Sequence, residues 1–124
     1  MTLKGVHITM TAVAHFEQIA QDLVAQFAKT VVARDKKGGN AKYERDLIRD
    51  SGLLKLLIPS EYGGLGGNWY DVFQVVRIFA RVDSSLAHVF GYHFVNLATP
   101  HLCGTEAQKE HLKNYLKIIK RKDI

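Results

Sequence analysis

The sequence predicts an all-α fold, a bundle of about five helices interrupted by one Gly-rich loop. Three observations carry this expectation. Apolar residues recur at three- and four-residue steps over long windows, two segments open with side chains suited to capping a helix, and no convincing pair of alternating strand patterns occurs. The chain has 124 residues, 47% hydrophobic and 23% charged, which is the composition of one ordinary globular domain able to bury a core. No internal repeat and no boundary to a second domain is visible.

Over residues 12–34, Val13, Phe16, Ile19, Ala20, Leu23, Phe27 and Val31 share one face of a long amphipathic helix. Gly38-Gly39-Asn40 breaks it. A shorter helix follows from about residue 41, with Tyr43, Leu47 and Ile48 inward and Ser51-Gly52 as its stop. Residues 53–58 are too continuously apolar for a surface helix, so a short extended or irregular buried segment is expected, with Ile58 held out of the helical region by Pro59. Residues 59–67 carry four glycines near their end and must form a loop. That loop is either a tight connection with several glycines at positive φ or a place where a partner or ligand approaches the backbone.

Asn68 is placed to cap the next helix, with Asp71 in its first turn. Val72, Phe73, Val75, Val76, Phe79 and Val82 make that helix apolar enough to be central to the core. After Asp83-Ser84-Ser85 a fourth helix is expected over 86–99, ended by Pro100. Thr105-Glu106-Ala107-Gln108 fits the capping box of a fifth helix, a cap worth about 1 kcal/mol.

Charge and cysteine usage narrow the partners. The formal charge is +5, but residues 109–124 hold six of the basic residues against two acids, so the body of the chain is nearly neutral. A basic helix end in solvent explains this better than a nucleic-acid footprint, and no nucleic-acid partner is expected. No apolar run of roughly 18 residues and no basic-then-apolar leader occurs, so neither a membrane span nor a signal peptide is expected. Cys103 is the single cysteine; it can form no internal disulfide and is expected to be an inert buried thiol in a reducing, cytoplasmic setting.

Three features could carry chemistry. Gly64-Leu65-Gly66-Gly67-Asn68 is followed by Trp69 where a dinucleotide fingerprint needs its third glycine, and no Gly-Lys-Ser/Thr follows to make a P-loop. His88 and His93 are five residues apart, which splays them by about 140° on a helix, so they do not share a metal. His88, Tyr92 and Asn96, by contrast, are four apart in succession and form one polar strip along the fourth helix. Such a strip either satisfies polar atoms of the core or lines a ligand cavity.

The motifs together resemble a known family. Ala33-Arg34-Asp35, Ser51-Gly52-Leu53-Leu54, Leu57-Ile58-Pro59, Glu61-Tyr62-Gly63-Gly64 and the helix end from Ala80 to Asp83 resemble the N-terminal helical domain of acyl-CoA dehydrogenases. Glu44-Arg45-Asp46-Leu47, Val75-Val76-Arg77 and Ser85-Leu86-Ala87-His88-Val89-Phe90-Gly91-Tyr92-His93 are similar to the flavin-dependent monooxygenase branch of that superfamily, typified by dibenzothiophene monooxygenase. The likeness runs from about residue 20 to residue 112.

The resemblance implies that His88 and Tyr92 line the cavity where reduced flavin meets oxygen and substrate. His88 would help form or protonate the flavin hydroperoxide that oxygenates a sulfur or other soft heteroatom, and His93 and Asn96 would lie along the same cavity. It implies flavin, FMN or FAD, as cofactor, a small-molecule substrate, a separate flavin reductase, and a homo-oligomer at full length. Residues 1–116 correspond to the family's helical domain and 117–124 to a divergent basic tail; the flavin-binding β-barrel and the C-terminal helical domain have no counterpart. The chain is therefore expected to be a fragment, from a truncated frame or an isolated domain, and inactive by itself. An acyl-CoA dehydrogenase fragment, oxidising the CH–CH bond of an acyl thioester, and a non-catalytic helical interaction module are the alternatives.

Overall fold

A computed structural model describes residues 2–111 and 114, and the side-chain surroundings from His15 onward. The elements are α1 (Thr2–Lys37), α2 (Lys42–Ser51), α3 (Trp69–Ala80), α4 (Ser84–Cys103) and α5 (Glu106–Glu110), with 3-10 turns at Leu53–Lys55 and Ser60–Tyr62. Among the described residues all regular structure is helical, as the periodicity predicts. The basic tail, 117–124, lies outside the described residues, as does the side chain of Val13.

Helix α3 packs against both α1 and α4 and so forms the middle of the bundle. A run of edge-to-face phenylalanines crosses that middle. Phe27 of α1 meets Phe79 of α3 at 5.2 Å between ring centroids, Phe79 meets Phe90 of α4 at 5.0 Å, and Phe90 meets Phe94 at 4.9 Å. All four are fully buried, and such pairs add to the area they remove from water.

A polar tie joins the same helices. The Arg34 guanidinium on α1 lies 3.0 Å (Nε) from Glu44 Oε1 on α2 and 2.7 Å (Nη2) from Asp83 Oδ2 ahead of α4. Thr30 donates its hydroxyl to Glu44 at 2.7 Å, and the other Asp83 oxygen caps α4 by accepting from the Leu86 amide at 2.9 Å. Both carboxylates are buried. They escape the cost of dehydrated charge only because Arg34 and these donors meet them.

The Gly-rich loop folds back over residues 55–58. Leu65, Gly66 and Gly67 donate their amides to the carbonyls of Lys55, Ile58 and Leu56 at 3.0, 2.9 and 2.7 Å. Positive φ accounts for Gly63 (83°) and Gly66 (65°), but Gly64 and Gly67 are required by space. A Cβ on Gly64 would stand 2.0 Å from the Ile58 carbonyl oxygen, and one on Gly67 2.8 Å from Leu56 Cδ1. The loop's glycines thus serve close packing of backbone on backbone.

Several expectations need correction. Helix α1 extends beyond 12–34 in both directions. Tyr43, expected inward, is 62% exposed, and its neighbour Glu44 is buried because Arg34 receives it. Residues 53–55 form a 3-10 turn instead of an extended segment, although Leu53, Leu56 and Ile58 are buried. The loop at 59–67 contains the Ser60–Tyr62 turn. Phe73 on α3 is exposed, while Val76 and Val82, though only half-buried, pack against the core as expected. Pro100 does not end α4, which runs on to Cys103. A proline so near the C-terminus removes only one intrahelical hydrogen bond, to Asn96, from a helix already ending. Cys103 is exposed, not buried. The caps hold as expected: Asn68 with Asp71 and Thr105 with Gln108 each form both bonds of a capping box.

Replacing Arg34 by Leu leaves two buried carboxylates without their cation and is expected to lower stability by about 3 kcal/mol in urea denaturation, while Arg34→Lys keeps part of it. Gly64→Ala is expected to cost about 2 kcal/mol or more in the same measurement, because backbone at both ends of the contact must move.

Candidate functional site

Two pins set the rotation of α4. Asp83 holds its first turn against Arg34, and one helical stretch later His93 Nε2 lies 2.9 Å from the Leu54 carbonyl oxygen. A carbonyl oxygen only accepts, so Nε2 of His93 carries the proton and donates it. Burial lowers the His93 pKa below the ordinary 6.5, and the hydrogen bond to Leu54 opposes this only in part. His93 therefore acts as a neutral donor that joins α4 to the 53–55 turn, with its ring edge-on to Phe94 at 4.9 Å.

With Leu86, Ala87, Phe90, Phe94 and Leu97 buried, the opposite side of α4 faces outward and carries His88, Tyr92 and Asn96. His88 and Tyr92 stack, with ring centroids 4.6 Å apart and planes inclined by 29°. Neither of these two side chains makes a hydrogen bond within the described residues, so the strip does not satisfy polar atoms of the core. They border an open groove of about 390 Å³ between α3 and α4. Its far wall is Trp69, Phe73 and Val76 of α3, with Gly91 and Val95 of α4 beside the stacked pair. Trp69 and Phe73, one turn apart, approach at 5.8 Å between centroids.

The structure thus brings together two of the four expected site residues. Asn96 is exposed on the same side of α4 but is not among the groove's lining residues, and His93 points away to Leu54. Trp69, Phe73 and Val95 were missed; the signal that could have found the first two is the four-residue step of large apolar side chains on α3 beyond those needed inward, and for Val95 it is its place three residues after Tyr92 on α4. An apolar cleft of about 190 Å³ continues beneath Trp69 towards Pro59, Leu97 and His101. Among the described residues no three His, Cys, Asp or Glu side chains are grouped to hold a metal ion, and no helix is long and apolar enough to cross a membrane.

The chain is similar to known proteins. Residues 15–116 match the family described as acyl-CoA dehydrogenase, N-terminal domain. The chain belongs to the acyl-CoA dehydrogenase N-terminal domain family. Within it, the chain is 61% identical over 84 residues to a probable FMNH2-dependent monooxygenase, SfnC, of Pseudomonas putida, covering 68% of this chain and 21% of that protein. The structure of the methanesulfinate monooxygenase MsuC of Pseudomonas fluorescens superposes with a TM-score of 0.75 at 50% identity, over 86% of this chain and 27% of that one. The dibenzothiophene monooxygenase TdsC of Paenibacillus sp. A11-2, solved also with FMN and indole, superposes with a TM-score of 0.78 at 39% identity, over 87% and 27%. The chain spans about a quarter of the length of these relatives.

The family's motif residues have structural work in this chain. Arg34, Glu44 and Asp83 build the polar tie, and Gly63 and Gly64 the folded loop. His93 yields a pH prediction. Its folded pKa lies below the unfolded 6.5, so the unfolded chain takes up a proton first; the contribution is complete above that value and is lost as pH falls through the folded pKa. Gln can donate to Leu54 without titrating. The stability advantage of the native protein over His93→Gln is therefore expected to shrink as pH falls below the ordinary histidine value of 6.5 in urea denaturation.

Proposed function

We propose that this chain is the N-terminal helical part of a flavin-dependent monooxygenase that uses reduced FMN and O₂ on a small sulfur-containing substrate, with the reduced flavin delivered by a separate reductase. The full-length protein would work in the cytoplasm as a homo-oligomer. The observation that carries this reading is the stacked His88–Tyr92 pair, with no hydrogen-bond partner among the described residues, on an aromatic-walled groove in a chain similar to FMN-dependent and FMN-bound monooxygenases.

The groove suits one part of such a cofactor. Trp69, Phe73, Val76 and Val95 offer apolar, largely flat surface to a planar ring or an aromatic substrate, while none of the groove's lining residues is a lysine or arginine to hold a phosphate. These residues would therefore form one wall for the ring system and leave the phosphate to other parts of the full-length protein. When bound, reduced flavin supplies the electrons that activate oxygen.

The chain's own contribution is to position and to move a proton. Stacking on Tyr92 limits the His88 ring to few orientations, so its nitrogens, unbonded among the described residues, present a donor or an acceptor at a constant place over the groove. An oxygen atom developing negative charge there can take a hydrogen bond or a proton from His88. The hydroxyl of Tyr92, an exposed side chain in the same stack, can orient a substrate oxygen or the attacking group. The apolar wall displaces water from the reacting atoms. His93, already engaged with Leu54, holds α4 in the rotation that presents His88.

In the full-length enzyme, His88→Ala is expected to lower kcat by about a hundredfold with little change in KM or in thermal midpoint, and Tyr92→Phe by about tenfold. Unchanged kcat in His88→Ala would remove the proposed role. The 124-residue chain alone, covering one side of the ring only, is expected to bind FMN weakly; micromolar binding in a fluorescence titration, with flavin-dependent oxygen uptake, would overturn that expectation.

A further inference from the structure

We propose that the apolar cleft beneath Trp69 is the subsite for the hydrocarbon group of the sulfur-containing substrate, a neutral group about the size of a phenyl ring; this rests on the His88 groove as the place where the sulfur is oxygenated. The cleft has a volume of about 190 Å³. Trp69 lines both the cleft and the groove, so the two are parts of one site divided by a single side chain.

The fold makes this cleft from two distant segments. Ile58 and Pro59 end the stretch that the Gly-rich loop covers, and Leu97, Ala98 and His101 come from the end of α4, which continues past Pro100. Ile58 and Leu97 are 1% and 5% exposed and give the cleft an aliphatic floor. Ala98 is the smallest side chain in the lining, and a larger residue there would occupy the space.

Charge and size select the occupant. Among the described residues that line the cleft none is Asp, Glu, Lys or Arg, and its one polar side chain, His101, is exposed. An ionic head group entering it would give up its water for no buried counter-charge. An aromatic or aliphatic group instead leaves water for contact with Ile58, Leu97 and the Trp69 ring. An apolar cavity of about 150 Å³ is enough to hold benzene, so this cleft accommodates one phenyl ring or a comparably short chain, whereas a lone methyl group leaves most of it unfilled. A substrate with its ring in the cleft and its sulfur carried past Trp69 meets His88 and Tyr92 in the groove.

The test is a titration of the ¹³C,¹⁵N-labelled 124-residue chain with methyl phenyl sulfide and with dimethyl sulfide. Trp69 is the single tryptophan, so its indole N–H gives one resonance, and the Ala98 methyl reports from the cleft itself. Saturable shifts of both with methyl phenyl sulfide, at a Kd of about 1 mM or tighter, support the subsite. So do nuclear Overhauser contacts from the ligand ring to the Ala98 methyl, and binding of dimethyl sulfide weaker by at least about tenfold. Ala98→Leu puts an isobutyl group into the cleft and is expected to weaken methyl phenyl sulfide binding by at least about tenfold. Because the native resonances report directly, the result does not depend on a variant folding. No saturable shift at Ala98, equal affinity for the two sulfides, or undiminished binding in Ala98→Leu would overturn the proposal. Binding to this chain is read without turnover, whereas the oxygenase reading is tested by kcat of His88→Ala in the full-length enzyme, so the two fail independently.

Discussion

One cation shared by two buried carboxylates organises the bundle. Arg34 reaches from α1 to Glu44 on α2 and to Asp83 at the start of α4, and Asp83 spends its other oxygen on capping α4. A tie of this kind does not outbid well-packed apolar residues in stability, since both carboxylates lose their water. Its effect is on register. Moving α4 along or around its axis by one residue would separate Asp83 from Arg34 and leave charges buried alone, so competing arrangements are penalised more than the native one is favoured. The phenylalanine run from Phe27 to Phe94 supplies the apolar adhesion that the tie directs.

The direction set at Asp83 is kept farther along α4 by the His93 donor on Leu54, which couples the helix to the 53–55 turn. That turn is in turn covered by the Gly-rich loop, whose amides bond to the carbonyls at 55, 56 and 58 and whose glycines at 64 and 67 leave no room for a side chain. The loop ends at the Asn68 cap, and Trp69 begins α3 at the end of the groove. Residues remote from the groove, whose contacts are those of packing, therefore decide where Trp69 stands relative to His88 and Tyr92.

Helix α4 separates two unlike surfaces. On one side lies an aromatic groove whose lining has no full charge apart from what His88 can carry; on the other lies a groove bordered by two arginines and two aspartates. The first suits a planar, weakly polar ring system and gives a histidine proton leverage in surroundings of low polarity. The second shares no lining residue with the first and takes no part in the chemistry proposed beside His88. A substitution on the outward side of α4 can thus alter one without touching the other.

What could be read from the amino-acid order was local. The periodicity of Phe16 to Phe27, the Asn68–Asp71 and Thr105–Gln108 caps and the left-handed Gly52 after α2 each depend on residues within a few positions of one another, and each is found in the structure. The four-residue spacing of His88 and Tyr92 likewise guaranteed that they would lie on one side of a helix. Which side faced out was not legible, because the rotation of α4 depends on Arg34, 49 residues before Asp83, and on Leu54, 39 residues before His93. The same reason explains the reversal of Tyr43 and Glu44: hydrophobicity alone places tyrosine inside and glutamate outside, and only a cation from α1 makes the opposite arrangement favourable. Local order in this chain is set by neighbours in sequence, whereas the burial of each face, and with it the site, is set by partners that only folding brings within 3 Å.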